Sequence, residues 1–317
     1  MLTRRQWLGV TGGAAAALAV DSPVLRALTQ SSSLVTKAIP STGQRIPVVG
    51  LGSSATFSQT ARAEDFDALR EVFQTMVKMG GTVFDTAPGY GASEEVAGKI
   101  ANELGIVDTL FWATKVNVAG RGGDAADPAA ARAQIERSFS YVQKKQIDLI
   151  QVHNMGSPSV QLPILRELKA AGRIKYMGIT TTFENQYADL IAVMKNEPLD
   201  FIGTDYAVDN RANEDAILSL AMERKIAVLC YAPFGRTRLF RRVGDRPVPD
   251  WAKEYGINSW AQFFLKFVVS HPAITAATPA TSDAEHMADN MGGAMGRMPD
   301  EATRKRMAGF VDGLPTA

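Results

Sequence analysis

The sequence predicts a single-domain (β/α)8 barrel of the TIM-barrel type, and three observations support that prediction. Eight short apolar segments, rich in β-branched residues as strands buried on both faces are, alternate with segments of helical periodicity. The eight strand–helix units extend over about 250 residues, the usual size of such a barrel. No GxGxxG turn follows the first strand, which disfavours the alternative, a doubly wound sheet.

The predicted strands share a short length and an apolar character. In chain order they are residues 48–53, 82–86, 110–116, 147–153, 175–180, 200–206, 227–232 and 274–278. Helical repeats lie between them, and in residues 64–79 the apolar positions recur on one stripe. Residues 39–46 indicate a short hairpin, which we expect to close the floor of the barrel.

Residues 1–30 are predicted to form a signal peptide and linker, and residues 31–317 the barrel. The adjacent Arg4 and Arg5 precede a mildly apolar run that is shorter than the roughly 20 residues of a membrane span. This pattern is typical of a twin-arginine export signal, and an ordinary Sec signal or a retained anchor is the alternative. We expect passage through the twin-arginine translocase and a periplasmic or otherwise exported location, or a cytoplasmic one if the signal is not used.

Composition and cysteine content exclude several classes of protein. Apolar residues make up 46% of the chain, which is enough for a large core. A formal net charge of +1 does not indicate the basic surface that nucleic-acid binding requires. The single cysteine, Cys230, excludes an internal disulfide, and its place in an apolar strand indicates a buried structural thiol.

The most informative motif is the stretch VFDTAPGYGASEEVAG at residues 83–98. A short strand ends at Asp85, a Pro–Gly turn presents Tyr90, and a helix then begins. The next two strand ends carry Lys115 and His153. Because the carboxyl ends of the strands in such a barrel converge on one mouth, we expect these four side chains to be neighbours.

These residue types suit the reduction of a carbonyl group, which needs a hydride at carbon and a proton at oxygen. A free tyrosine, with a pKa near 10, is a poor proton donor, and we expect Lys115 to lower the pKa of Tyr90. Asp85 is expected to hold Lys115 charged, and His153 to donate a hydrogen bond to the carbonyl oxygen. Taken singly, each residue also has an ordinary structural interpretation, such as a loop cap or a surface lysine.

In this order and at successive strand ends, Asp85, Tyr90, Lys115 and His153 resemble the catalytic tetrad of the aldo-keto reductases. The resemblance extends over about residues 36–311 and includes segments 148–153, 171–178 and 231–235. It implies an oxidoreductase that reduces aldehydes or ketones with NADP or NAD as cofactor, with Tyr90 as general acid and no metal. The implied partner is a small-molecule carbonyl or alcohol substrate.

The positions that this resemblance assigns to the nicotinamide match the family less well. Thr180 and Thr181 replace the Ser-Asn pair that usually holds the carboxamide, and Gly203 replaces a glutamine. Thr180 keeps a hydroxyl, whereas Thr181 lacks the donor and acceptor of an amide. Tyr231 matches the aromatic residue that stacks beneath the nicotinamide ring.

The adenine end is altered as well. Ala280 and His286 replace a Lys and an Arg that usually bind the 2′-phosphate of NADP. Their loss weakens the case for NADP over NAD, because a phosphate needs charge-assisted partners. Asp289 and Asn290 match the acid–Asn pair that meets the adenine.

A dense basic run follows the seventh strand, where barrels of this kind often bind phosphate. Within it, Gly235, Arg236 and Arg238 are expected to bind the cofactor, and Arg236 or Arg238 to contact its pyrophosphate. A solvated loop is the alternative interpretation.

The sequence says less about the substrate. Ser54 and Phe57, which follow the first strand, are expected to form part of the pocket wall. The short polar loop after His153 indicates a small or polar substrate.

Two functions from different classes remain open. One is an exported reductase that carries its nicotinamide cofactor with it. The other is an exported barrel without redox turnover that binds a carbohydrate or another small ligand, which the departures at Thr181 and Gly203 suggest. The intact tetrad favours the enzyme, since a binding protein gains little from keeping Tyr90 beside Lys115. A hydrolase lacks a paired carboxylate or nucleophile.

Overall fold

Eight parallel strands form the centre of the fold, and their order in the sheet follows their order in the chain. The computed structural model describes residues 34–315, so the predicted signal peptide and linker lie outside the described residues. Thr36–Ala38 (β1) and Arg45–Pro47 (β2) form a separate antiparallel hairpin. The eight barrel strands are Leu51–Gly52 (β3), Val83–Asp85 (β4), Phe111–Val116 (β5), Ile147–Val152 (β6), Ile174–Thr181 (β7), Phe201–Asp205 (β8), Ala227–Tyr231 (β9) and Ile274–Ala277 (β10).

Helices follow the barrel strands and cover the outside of the sheet. They are Thr56–Arg62 (α1), Phe66–Lys78 (α2), Ser93–Glu103 (α3), Pro128–Val142 (α4), Pro158–Ala170 (α5), Tyr187–Asn196 (α6), Ser219–Glu223 (α7), Arg238–Val243 (α8), Trp260–Val269 (α9), Ala284–Gly292 (α10) and Glu301–Asp312 (α11). Short 3-10 segments lie at His153–Met155, Glu184–Gln186 and Asp250–Tyr255, and a π-helical turn at Glu214–Leu218. Within residues 34–315, no helix is long and apolar enough to span a membrane.

The sheet closes between its first and last strands, β3 and β10. The amide of Gly50 donates to the carbonyl of Ala277 at 2.9 Å, and the amide of Ala277 donates to the carbonyl of Val48 at 2.9 Å. One step further along, the amide of Gly52 donates to the carbonyl of Pro279 at 2.9 Å. These bonds join the two edges, so the predicted (β/α)8 barrel is confirmed. The first barrel strand is shorter than predicted, because the residues before Leu51 bond to β10 but not to β4.

Alternation of side chains along the strands separates an inner apolar layer from an outer one. The inner layer takes residues from the amino-terminal ends of the strands, among them Val83, Phe111 and Phe201. Ile39 and Ile46, which flank the turn of the β1–β2 hairpin, pack into this layer and are at most 1% exposed. The hairpin therefore closes the floor of the barrel, as predicted, and leaves the carboxyl ends of the strands as the open mouth.

Removal of one floor side chain should destabilise the barrel. We expect Ile46→Ala to lower the free energy of unfolding by about 2–5 kcal/mol, because it leaves a cavity in a closely packed layer. Urea unfolding followed by circular dichroism measures this change. Met222→Ala, at a side chain that is 46% exposed, is the control and should change the unfolding free energy by less than about 0.5 kcal/mol. Equal effects of the two substitutions would show that the hairpin does not pack the floor.

Candidate active site

A cavity of about 980 Å³ opens at the carboxyl ends of the strands. Asp85, Tyr90 and His153 lie in its wall, together with Ser54 and Thr180. Its volume is that of a ligand-binding pocket, and it lies at the end of the barrel where active sites form. The cavity is therefore the candidate active site. Within residues 34–315, no group of three or more His, Cys, Asp or Glu side chains is arranged to hold a metal ion.

A buried ion pair lies at the bottom of the cavity. Lys115 Nζ donates to Asp85 Oδ2 at 2.7 Å and to the carbonyl oxygen of Thr86 at 2.8 Å. The two charged side chains are 1% and 4% exposed. They meet because Asp85 and Lys115 point inward from the neighbouring strands β4 and β5. A charge buried this deeply is stable only with its partner, so each side chain fixes the other.

The pKa values of this pair reflect burial and mutual attraction. Burial acts to lower the pKa of Lys115, but the negative charge of Asp85, followed by the contact with Tyr90, more than offsets it, and the pKa is raised. Burial raises the pKa of Asp85, and the hydrogen bonds from Lys115 and Tyr231 act in the opposite direction. Lys115 is thus an ammonium ion at neutral pH.

Tyr90 and His153 lie directly above this ion pair. Lys115 Nζ is 5.1 Å from the centroid of the Tyr90 ring. The rings of Tyr90 and His153 meet edge to face, with centroids 5.6 Å apart. A bond of 2.9 Å from the Ser58 hydroxyl to the carbonyl oxygen of Tyr90 holds the loop that carries Tyr90. The structure thus brings the four residues of the predicted tetrad together.

The pKa of Tyr90 differs from the sequence-based expectation. Burial raises the pKa of Tyr90, and the Lys115 ammonium lowers it by less than burial raises it. Lys115 acts in the predicted direction, but burial outweighs it because the phenolate loses its water, so the net shift of the Tyr90 pKa is a rise. Tyr90 therefore keeps its proton at neutral pH, which is the form that a proton donor requires.

His153 is a neutral side chain at physiological pH. Burial, followed by the positive charges of Lys115 and Arg121, lowers its pKa to about 3. A neutral imidazole has one N–H that can donate to an oxygen atom in the cavity. The Asn117 side chain fixes the backbone here by donating to the carbonyl oxygen of His153 at 2.7 Å.

Tyr231 is hydrogen-bonded to the ion pair, a contact that the sequence did not predict. Its hydroxyl donates to Asp85 Oδ1 at 3.1 Å and accepts from Gln151 Nε2 at 2.9 Å. Its ring fills the space beside Gly203, where an added Cβ would overlap Cε2 of Tyr231 and lie 2.8 Å from its hydroxyl oxygen. The glycine at this position is therefore what allows Tyr231 to reach Asp85.

The two threonines at the end of β7 face opposite sides. Thr180 lines the cavity, and its hydroxyl oxygen accepts the amide of Asn154 at 3.1 Å. Thr181 does not line the cavity, and its hydroxyl donates to Gln186 Oε1 at 2.6 Å. Because Thr181 is fully buried and its hydroxyl is bonded to Gln186, the prediction that it binds the cofactor is corrected.

The two expected substrate-pocket residues also separate. Ser54 lies in the cavity wall. Phe57 is fully buried in the apolar core, with its ring centroid 6.1 Å from that of Phe73 and 5.8 Å from that of Phe84. The expectation that Phe57 forms the pocket wall is wrong, because α1 begins at Thr56 and turns this side chain towards the core.

In the basic loop after β9, one of the two predicted arginines reaches the cavity. Arg236 lines the wall and donates to the Thr182 hydroxyl at 2.9 Å. Arg238 instead makes two bonds to the carboxylate of Asp209, at 2.7 and 2.8 Å. It packs over Gly235, which is buried beneath it, and neither residue lines the cavity. The expected contacts of Arg238 and Gly235 with a cofactor are corrected, since Asp209 already neutralises that guanidinium.

The residues expected to meet the adenine lie on α10, beyond the cavity wall. The amide of His286 is capped by Asp283, and Asn290 is buried. Asp289 Oδ1 accepts from Ser259 at 2.9 Å and from a neighbouring glutamine of α9 at 2.7 Å. Ala280, which precedes this helix, does line the cavity. The assignment of His286 to the cofactor, and of Asp289 and Asn290 to its adenine, stays a prediction.

Sequence reasoning missed several residues in and beneath the cavity wall, among them Arg121, Phe183 and Gln151. Arg121 and Phe183 face each other in the wall, with the guanidinium carbon 3.9 Å from the ring centroid. Gln151 lies beneath Tyr231. The first two lie in loops without a motif, so only their positions after the third and fifth barrel strands could have indicated them.

Comparison with known proteins identifies a family model and several relatives that match parts of this chain. A model of the "Aldo/keto reductase family" matches residues 48–304. "Aldo-keto reductase YhdN" of Bacillus subtilis is 30% identical over 207 residues, which cover 62% of this chain and 61% of that protein. The "NADH-specific methylglyoxal reductase" of Escherichia coli is 28% identical over 212 residues, covering 60% of this chain and 64% of that protein. The chain thus spans less than two thirds of the length of these relatives.

A similar fold occurs among solved structures. An aldo-keto reductase from Klebsiella pneumoniae in complex with NADPH superposes with a TM-score of 0.70 at 21% sequence identity. The match covers 88% of this chain and 96% of that one. At this level of identity the likeness shows the fold alone.

The close packing of Tyr231 against Gly203 predicts a specific coupling. We expect Gly203→Ala to lower the unfolding free energy by about 1–3 kcal/mol, because the new methyl group meets the Tyr231 ring. In a Tyr231→Ala background the same change should cost much less, and a double-mutant cycle in urea measures the difference. Gly89→Ala is the control, since a Cβ there meets nothing within 4 Å. An equal penalty in both backgrounds would contradict the packing.

Proposed function

Because the chain belongs to the aldo/keto reductase family, we propose that it is an NAD(P)H-dependent oxidoreductase that reduces aldehydes or ketones to alcohols. The observation that carries this proposal is the buried Lys115 ammonium, 2.7 Å from Asp85 and 5.1 Å from the Tyr90 ring. A protonated phenol beside a buried cation is suited to give its proton to a carbonyl oxygen in the cavity, because the cation stabilises the phenolate that remains.

Each residue of the tetrad has a separate role in this reaction. Tyr90 transfers its hydroxyl proton to the substrate oxygen as negative charge develops there, and Lys115 stabilises the phenolate that is left. Asp85 keeps Lys115 charged and in position. His153, neutral because its pKa is about 3, orients the carbonyl by donating a hydrogen bond to the same oxygen.

The cavity fits a nicotinamide dinucleotide, which supplies the hydride when bound. Tyr231 offers an aromatic side chain in the wall, and Arg236 a guanidinium for a phosphate group. Among the described residues, the buried hydroxyl of Thr278 in the same wall has no hydrogen-bond partner, so it is available to a ligand. Both NADP and NAD stay candidates. One relative is named as NADH-specific and one solved neighbour holds NADPH.

The alternative of a barrel without redox turnover, acting as a carbohydrate or small-ligand binding protein, is not favoured. It depended on the departures at Thr181 and Gly203. Gly203 makes room for Tyr231, whose hydroxyl adds a hydrogen bond to Asp85. The space at Gly203 is therefore occupied by a side chain bonded to Asp85, and the glycine gives no support for a lost active site.

Turnover should depend on the Tyr90 hydroxyl. We expect Tyr90→Phe to lower kcat for small aldehydes by at least about 100-fold, because it removes the proton donor, while NADPH or NADH still binds. Fluorescence titration with each nucleotide and the loss of NAD(P)H absorbance measure binding and turnover.

In the same titration Arg236→Ala should weaken nucleotide binding. Arg241→Ala, which removes the same charge outside the cavity wall, should leave nucleotide binding unchanged.

Two results would contradict the proposal. Full activity of Tyr90→Phe would remove Tyr90 as the acid. A folded wild-type protein that binds neither nucleotide would support the alternative of a binding protein.

Export by the twin-arginine route is a further part of the proposal. Two features of the sequence support it. Arg4 and Arg5 are adjacent, and a chain with one cysteine forms no internal disulfide, so it can fold before export. We expect Arg4→Lys with Arg5→Lys to retain the protein in the cytoplasm, and Arg26→Lys to leave its location unchanged. Cell fractionation measures both. Unchanged export of the double variant would contradict the twin-arginine route.

A further inference from the structure

The loop that follows β5 is fixed against the loop that carries His153. The Asn117 side chain donates to the carbonyl oxygens of Gly120 and His153, each at 2.7 Å. The amide of Gly122 donates to the carbonyl oxygen of Asn154 at 2.9 Å. These bonds lie on both sides of residue 121, so its backbone has a defined position beside His153.

The Arg121 side chain is held in the cavity wall by one aromatic contact. Its guanidinium lies over the Phe183 ring, 3.9 Å from the centroid. This stacking occupies a planar face of the guanidinium and leaves its N–H groups at the edge. Among residues 34–315, no carboxylate lies within ion-pair distance of Arg121, in contrast to Arg238, which is paired with Asp209.

The charges in the cavity wall leave Arg121 without a counterion. Among the described residues that line the cavity, Asp85 is the one carboxylate, and Lys115 neutralises it at 2.7 Å. Arg236, in the loop after β9, is the group proposed above for a phosphate of the cofactor. Arg121 approaches from the loop after β5, and its charge acts on His153, whereas the charge of Arg236 acts on Tyr90.

We propose that Arg121 binds a carboxylate on the substrate, so that the substrate class is aldehydes or ketones that also carry a carboxylate group. A guanidinium matches a carboxylate with two parallel N–H···O bonds. The carbonyl oxygen lies against Tyr90 and His153, and the carboxylate extends towards Arg121 and Phe183. The inference depends on the reductase function proposed above and specifies its substrate.

A matched pair of substrates tests the inference. 4-Carboxybenzaldehyde and methyl 4-formylbenzoate have the same ring and aldehyde, but only the first is an anion. We expect the full-length wild-type protein to favour the acid over the ester in kcat/KM by about tenfold or more at low ionic strength. Arg121→Gln should remove about tenfold of that preference, chiefly through KM, and added salt should reduce the preference of the wild type.

Arg132→Gln is the control for a simple change of net charge. Arg132 lies on α4, is half exposed, pairs with Glu167 and does not line the cavity. Its substitution should leave the acid-to-ester ratio unchanged. Succinic semialdehyde and butanal repeat the comparison with shorter chains.

The outcomes distinguish this inference from the function on which it depends. Equal kcat/KM for acid and ester in the wild type, or a preference that survives in Arg121→Gln, would overturn the inference and leave the reductase intact. Reduction of none of the four aldehydes by a folded, nucleotide-binding protein would overturn both.

Discussion

The ion pair between Lys115 and Asp85 is the interaction on which the rest of the site depends. Both groups are almost completely buried, at 1% and 4% exposure, where neither charge is stable alone. Their hydrogen bonds are completed by the carbonyl oxygen of Thr86 and the hydroxyl of Tyr231. The pair is possible because parallel pairing of β4 with β5 sets two inward-facing strand ends side by side. The closed barrel and its packed floor hold that register.

The same burial divides the ionisable groups around the pair into different protonation states. Lys115 stays charged because the negative charge of Asp85 compensates for the loss of water. Tyr90 keeps its proton because burial outweighs the pull of Lys115. His153 stays neutral because burial and the nearby positive charges lower its pKa. The cavity therefore combines a fixed cation, a protonated phenol and a neutral hydrogen-bond donor. Together these groups are suited to stabilise negative charge that develops on a carbonyl oxygen.

The departure from the family at Gly203 makes physical sense only together with Tyr231. On sequence alone, a glycine in place of a glutamine indicates a lost cofactor contact. In the structure the missing side-chain volume is filled by the Tyr231 ring, which thereby reaches Asp85 and Gln151. Gly203 and Tyr231 lie on the neighbouring strands β8 and β9, and the space at the glycine is what lets the Tyr231 hydroxyl bond to Asp85. A substitution that suggests loss at one position can be part of a rearranged network.

The barrel and the placing of Asp85, Tyr90, Lys115 and His153 at its mouth were predictable from the sequence, although the first barrel strand is shorter than predicted. Short apolar, β-branched runs mark the strands, and barrel topology brings their carboxyl ends together. Which of the nearby side chains face the cavity became visible in the folded chain alone. The tertiary structure turned Phe57 into the core and Thr181 away from the mouth, paired Arg238 with Asp209, and placed Arg121 against Phe183. These choices depend on partners from loops or helices that only the folded chain brings together, so no local pattern encodes them.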